Sequence, residues 1–109
     1  MSWIPVFRDI PVVGCFFRDE ESQAAAKALA PQAVVDLWTE PEHEHDRYAV
    51  KVLDPATQLH IGYIPRHSSA AIFALAELAA DDIEIRSIVT GKGRDGWPKI
   101  SVVVGKEDE

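Results

Sequence analysis

Hydrophobic positions along the chain fall into short runs whose spacing switches between a period of two and a period of about 3.6 residues, the mark of strands interleaved with helices. Trp3 to Phe7 and Ile10 to Phe17 are apolar and β-prone, and Pro5 and Pro11 suit an edge strand or a bend better than a central strand. Gly14 lies inside this stretch and points to a bulge or a close backbone approach. Asp19 is placed to cap a helix. Glu20 and Glu21 follow in the first turn, where the helix dipole favours negative charge. Ala25, Ala28 and Leu29 give that helix an apolar stripe, and Pro31 ends it. Ala33 to Thr39 then alternates as a strand, with Val35 and Leu37 on one face and Asp36 and Trp38 on the other.

Further along, Tyr48 to Leu53 reads as a strand with Tyr48, Val50 and Val52 on one side and Lys51 opposite. Asp54-Pro55 starts a turn, and Leu59 to Ile64 returns as the second strand of a hairpin. Pro65 stops that strand. Ser68 or Ser69 is available as the N-cap of a second helix, in which Ile72, Leu75, Ala76 and Ala79 repeat at helical spacing through Ala80. Ile83 to Thr90 and Trp97 to Val104 finish the chain as strands, joined by Gly91 to Gly96 with its Asp95-Gly96 turn signal. Ile100, Val102 and Val104 mark the inward face of the last strand. About six short strands and two short helices predict a mainly β fold: a small, partly closed β-barrel with helices packed on it, or an open α+β sandwich.

At 109 residues, with no repeat and no low-complexity linker, the chain is expected to form one domain over 1–109, with 106–109 as a loose polar tail. The single cysteine, Cys15, forms no internal disulfide and sits among Val12, Val13 and Phe16, so it reads as a small core residue in a reducing compartment. Met1 to Phe7 holds no Lys or Arg, and prolines interrupt the apolar stretch before a membrane-spanning length, which points to a cytoplasmic protein with no membrane partner. A net charge of −7 excludes general phosphate-driven nucleic-acid binding, so any such function must be local. The charge is uneven. Gln32 to Arg47 holds five carboxylates against one arginine, whereas basic residues gather at Arg86, Lys92, Arg94 and Lys99.

The acidic segment continues into a spaced series: Glu40-Pro41, Asp46, Ala49-Val50-Lys51-Val52, then Ile61-Gly62-Tyr63-Ile64-Pro65-Arg66 ahead of a helix. From Trp38 to about Leu78 this resembles the HIRAN domain family, and Val13-Gly14 resembles the family's opening strand. The resemblance implies an OB-like β-barrel that recognises nucleic acid, in particular the 3′-hydroxyl end of single-stranded DNA. It also implies DNA repair or replication-fork processing, here beside a separate helicase or nuclease chain. The implied role suits Asp46, because a carboxylate accepts a hydrogen bond from a terminal hydroxyl and repels a phosphate; the other reading of Asp46 is a turn cap that bonds backbone amides. Arg47 and Arg66 would offset the surrounding carboxylates. His45, Phe16 and Phe17 are candidate faces for base stacking. The chain departs from the family pattern at four places: Thr39 stands for an Arg, His43 for an Asn, His45 for an aromatic residue and Tyr48 for an Asn.

Two readings of other classes attach to the same segment. His43, His45 and Asp46, with His60, are potential ligands for zinc, nickel or copper, since residues two apart on an extended segment share a face. The acidic stretch is alternatively a docking face for a basic protein partner on the same fold. Catalytic signatures are absent from the sequence. There is no Gly-x-Ser-x-Gly elbow, and Gly91-Lys92-Gly93 lacks the spacing of a phosphate loop; Gly91 to Gly96 reads more simply as a hairpin turn whose Lys92 and Arg94 sit on a solvated tip, with contact to phosphate as the lesser reading. The chain is expected to bind, without a cofactor, rather than to catalyse.

Overall fold

The computed structural model describes residues 2–78 and 83–106. In chain order the elements are β1 (Ser2–Pro11), α1 (Glu20–Ala28), β2 (Val34–Glu40), β3 (Ala49–Leu53), β4 (His60–Tyr63), α2 (Arg66–Leu78), β5 (Ile83–Lys92) and β6 (Pro98–Lys106), with a 3₁₀ turn at Cys15–Phe17 ahead of α1. The strands form one antiparallel sheet of order β1-β6-β5-β2-β3-β4. This is the mainly β, two-helix fold that the periodicity predicts.

The sheet is barrel-like but does not close. β2 pairs with β5 only through Val34 and Val35, then turns to pair with β3 from Asp36 to Glu40, so the sheet bends around that strand. Its ends, β1 and β4, share no ladder among the described residues. Val12 and Val13 strap the gap. The Val12 amide donates to the Pro98 carbonyl at 3.0 Å, and Val13 and Tyr63 exchange amide-to-carbonyl bonds at 2.9 and 2.8 Å. Gly62 makes this approach possible, because a Cβ there would lie 2.6 Å from Val12 Cγ1 and 2.7 Å from the Val13 oxygen.

The predicted strand over Ile10 to Phe17 stops early for a local reason. Gly14 takes φ +77° and turns the chain into the 3₁₀ segment, leaving Cys15 buried and the two phenylalanines outside. Burial, and then the Asp95 carboxylate, push the Cys15 thiol up to about 11, consistent with a core residue. α1 starts where expected: the Asp19 carboxylate accepts from the Ser22 amide at 2.8 Å, a bond that holds it below the usual carboxylate range. Its buried face differs from the expected stripe. Ser22 and Ala26 face inward, Ala25 is half-buried and Ala28 is exposed, while Leu29 is buried just past the helix end. Small residues on this face let a short helix lie close on β4 and the 3₁₀ turn.

α2 begins at Arg66, before the expected serine caps, because the Pro65 carbonyl accepts from both the Ser68 and Ser69 amides. Ala79 and Ala80 of the predicted helix lie outside the described residues, as do 107–109 of the predicted tail; Lys106 closes β6. Tyr48 does not face inward with Val50 and Val52. It precedes β3 in a turn and is 41% exposed. β5 extends through Gly91 and Lys92, so the turn of the last hairpin is shorter than Gly91 to Gly96. The core is aliphatic: Val50, Val52, Ile61, Ile72, Val89 and Ile100 are each at most 1% exposed, and each contributes about 1.5–3 kcal/mol through burial. On the last strand Val104 is only half-buried, unlike Ile100 and Val102. No helix among the described residues is long and apolar enough to cross a membrane.

Candidate nucleic-acid interface

The acidic loop between β2 and β3 is built around His43. Its Nδ1 accepts from the amides of His45 and Asp46, each at 3.1 Å, and its Nε2 lies 4.0 Å from Glu40 Oε1. This turns the next residues outward in a fixed arrangement. Asp46 Oδ1 accepts from the Tyr48 amide at 2.9 Å, closing an Asx turn into β3, and Oδ2 accepts from the Ser69 hydroxyl of α2 at 3.3 Å. Asp46 is therefore half-buried and oriented, as a turn-capping aspartate is. A carboxylate offers about four acceptor positions, so two internal bonds leave capacity for an external donor.

Around Asp46 stand the other residues expected at the site. The His45 side chain is 81% exposed. Arg66, the first residue of α2, reaches the His45 carbonyl with Nη2 at 3.5 Å. The Arg47 guanidinium lies 5.0 Å above the Tyr48 ring, which meets Phe73 edge-on at 5.6 Å.

Phe16 and Phe17 come from the opposite end of the sheet order and reach this region through the strap. They are 71% and 80% exposed and contact each other edge-to-face at 5.8 Å. The turn that carries them starts at Gly14, where a Cβ would lie 3.8 Å from the Tyr63 ring. Tyr63 in turn packs edge-on against His43 at 5.5 Å. Gly14, at the start of the phenylalanine turn, and His43 of the acidic loop thus both lie against Tyr63.

Tyr63, Glu40 and Lys51 are the residues that sequence reasoning left out of the site. Lys51 pairs directly with Tyr63 across β3 and β4. Glu40 takes the Tyr63 hydroxyl on Oε1 at 3.0 Å and Lys51 Nζ on Oε2 at 3.2 Å. Burial works to raise the Glu40 carboxyl, and the hydrogen bonds from Lys51 and Tyr63 overcome it and leave it below the usual range. Burial, followed by Glu40, raises the Tyr63 phenol. The available signal was Lys51, the polar residue inside an apolar strand.

His60 belongs to a different cluster. Arg18 Nη1 lies 2.8 Å from its Nδ1; a guanidinium only donates, so Nδ1 accepts and Nε2 carries the proton to the Gly62 carbonyl at 2.9 Å. Both ring nitrogens are occupied, and His43 Nδ1 is held by two amides. The alternative metal set of His43, His45, Asp46 and His60 is not assembled, and no group of three or more His, Cys, Asp or Glu among the described residues is placed to hold a metal ion.

With this geometry in place, the comparisons decide the family. The model of the HIRAN domain matches residues 8–104. The chain belongs to the HIRAN family. Its fold is similar to the crystal structure of the HIRAN domain of human HLTF, with TM-score 0.67 and 17% identity over 97% of this chain and 78% of that one. It is also similar to the crystal structure of a Lactobacillus plantarum protein, with TM-score 0.74 and 20% identity over 97% of this chain and all of the other. No curated protein matches the chain. HIRAN is a binding domain rather than a catalytic one, and membership supports a nucleic-acid-binding module.

Proposed function

We propose that the surface around Asp46 binds the 3′-hydroxyl end of single-stranded DNA. The observation that carries this reading is the oriented Asp46 carboxylate, held by two internal bonds with acceptor capacity remaining, beside the exposed His45 ring and the Arg66 guanidinium. A terminal hydroxyl donates to the carboxylate. A terminal phosphate in the same place would meet like charge. His45, Phe16 and Phe17 present the flat faces on which terminal bases stack, each contributing roughly 1–3 kcal/mol. Arg47 and Arg66 offset the carboxylates of the loop where the last phosphate approaches. A module that holds an end without chemistry of its own fits DNA repair or fork processing beside a separate helicase or nuclease chain.

Fluorescence anisotropy with matched oligonucleotides ending in a 3′-hydroxyl or a 3′-phosphate tests the reading. Wild-type protein is expected to prefer the hydroxyl by about tenfold or more, the worth of one charge-assisted hydrogen bond. Asp46→Asn, which keeps an oxygen for the Tyr48 amide, narrows that preference. Equal affinity of the wild type for both ends overturns the reading, and absence of any binding turns attention to a basic protein partner for the acidic loop.

A further inference from the structure

Four cations are carried by the β5–β6 hairpin and the end of α1. Lys92 Nζ donates to the Lys27 carbonyl at 2.7 Å, which brings β5 against the C-terminus of the helix, and Lys27 Nζ in turn lies 4.9 Å above the Trp97 ring. Lys99 pairs with Gly91 and so stands on the other face of the hairpin from Lys92, which pairs with Pro98; its Cε would lie 3.9 Å from a Cβ at Gly93. Arg94 is exposed at the tip. None of the four forms an ion pair with a carboxylate among the described residues. The acid of the turn, Asp95, shapes it, with Oδ1 accepting from the Trp97 amide at 3.0 Å, and its charge offsets one of the four cations. Arg86, grouped with these residues by sequence, is elsewhere. It lies 4.5 Å over the Trp3 ring and pairs with Glu84, about 20 Å along β5 from Lys92.

This patch adjoins the phenylalanine turn. Gln23 of α1 donates to the carbonyls of Phe16 and Arg18 at 3.0 and 2.8 Å, and Lys27 follows four residues later, about 6 Å along the helix axis. The strap bond from Val12 to Pro98 ties the base of the hairpin to the same turn. The net charge of −7 opposes a polyanion only within the screening length of about 8 Å, so the excess of cations over the single Asp95 carboxylate sets the local field at the hairpin.

We propose that Lys27, Lys92, Arg94 and Lys99 form a phosphate-tracking site for the single-stranded DNA backbone upstream of the bound end. This rests on the end-binding reading above and adds a second, sequence-independent contact to it. It also explains how an acidic protein holds a polyanion: the carboxylate selects the end, and the hairpin supplies the electrostatic attraction.

The test compares two 3′-hydroxyl oligothymidylates, of about three and about twelve nucleotides, at about 50 and 200 mM salt, with wild type and a Lys92→Gln/Arg94→Gln/Lys99→Gln variant. Wild type is expected to bind the longer oligonucleotide more tightly and with a steeper salt dependence. In the variant the short oligonucleotide binds as before, whereas the log–log salt slope for the long one becomes shallower by about 2, three lost contacts at roughly 0.7 each on a single strand. A Lys92→Arg/Arg94→Lys/Lys99→Arg variant keeps the slope, which separates loss of charge from damage to the hairpin. Short-oligonucleotide binding with no length advantage, or an unchanged slope in the charge-removing variant, overturns the tracking site and leaves the end site standing. Failure of both oligonucleotides to bind wild type overturns both.

Discussion

His60 shows how a residue chosen for its chemistry can serve the fold. Its ring is held neutral by burial first and by the Arg18 guanidinium next; Lys51 pushes the same way, Glu40 weakly the other, and the Gly62 carbonyl offsets part of the effect. Its pKa in the folded chain is therefore lower than its ordinary value of 6.5. The unfolded chain takes up a proton that the folded chain resists, so the stability this group contributes is complete above that value and is lost as pH falls through the lowered one. Urea unfolding at pH 7.5 and 5.5 is expected to give a lower midpoint at the acidic pH. His60→Asn, which keeps an acceptor for Arg18, should flatten the difference; an equally steep loss in that variant would place the effect on another group. The metal alternative was legible as residue types and spacing, but spacing says nothing about which ring nitrogens are free. Arg18 and two backbone amides decide that, and both are contacts of the folded chain.

At the level of elements, the site depends on α2 starting one turn early. With Pro65 receiving the Ser68 and Ser69 amides, the buried Ser69 hydroxyl faces Asp46, its single proton shared between Asp46 Oδ2 at 3.3 Å and the Arg66 carbonyl at 3.2 Å. Ser69→Ala is expected to lower stability by about 1 kcal/mol, an ordinary net hydrogen-bond contribution, measured by chemical denaturation. Its preference for a hydroxyl end over a phosphate end should remain, because the carboxylate itself is untouched; loss of that preference would show that the helix contact, rather than the charge, sets recognition. Sequence reading placed both serines at the helix start but assigned them the cap. A side chain that can bond either its own helix or a neighbouring loop is settled by what lies opposite, and here that is Asp46.

On the scale of the whole molecule, the Val12–Val13 strap joins the far ends of an open sheet and brings Gly14, where the phenylalanine turn begins, against Tyr63. Gly62→Ala places a methyl group against Val12, the Val13 oxygen and Cys15 Sγ, at 2.6, 2.7 and 3.0 Å before any adjustment. It is expected to cost about 1–3 kcal/mol by overpacking, read from the denaturant midpoint, and to weaken oligonucleotide binding together with stability. Retained stability would mean that the strap yields without harm to the sheet. The mainly β class with two helices, the buried Cys15, the Asp19 cap and the family resemblance of the segment from Trp38 to Leu78 were all determined by sequence alone, because they rest on periodicity, capping chemistry and motif spacing, which are local. Tertiary structure alone decided that the sheet stays open, that Tyr48 turns outward, that Tyr63 packs between the strap and the acidic loop, and that Lys92 reaches Lys27 while Arg86 lies elsewhere. Those outcomes depend on pairings between residues distant in the chain, where a bulge or a glycine changes which side chains meet and no local pattern records the result.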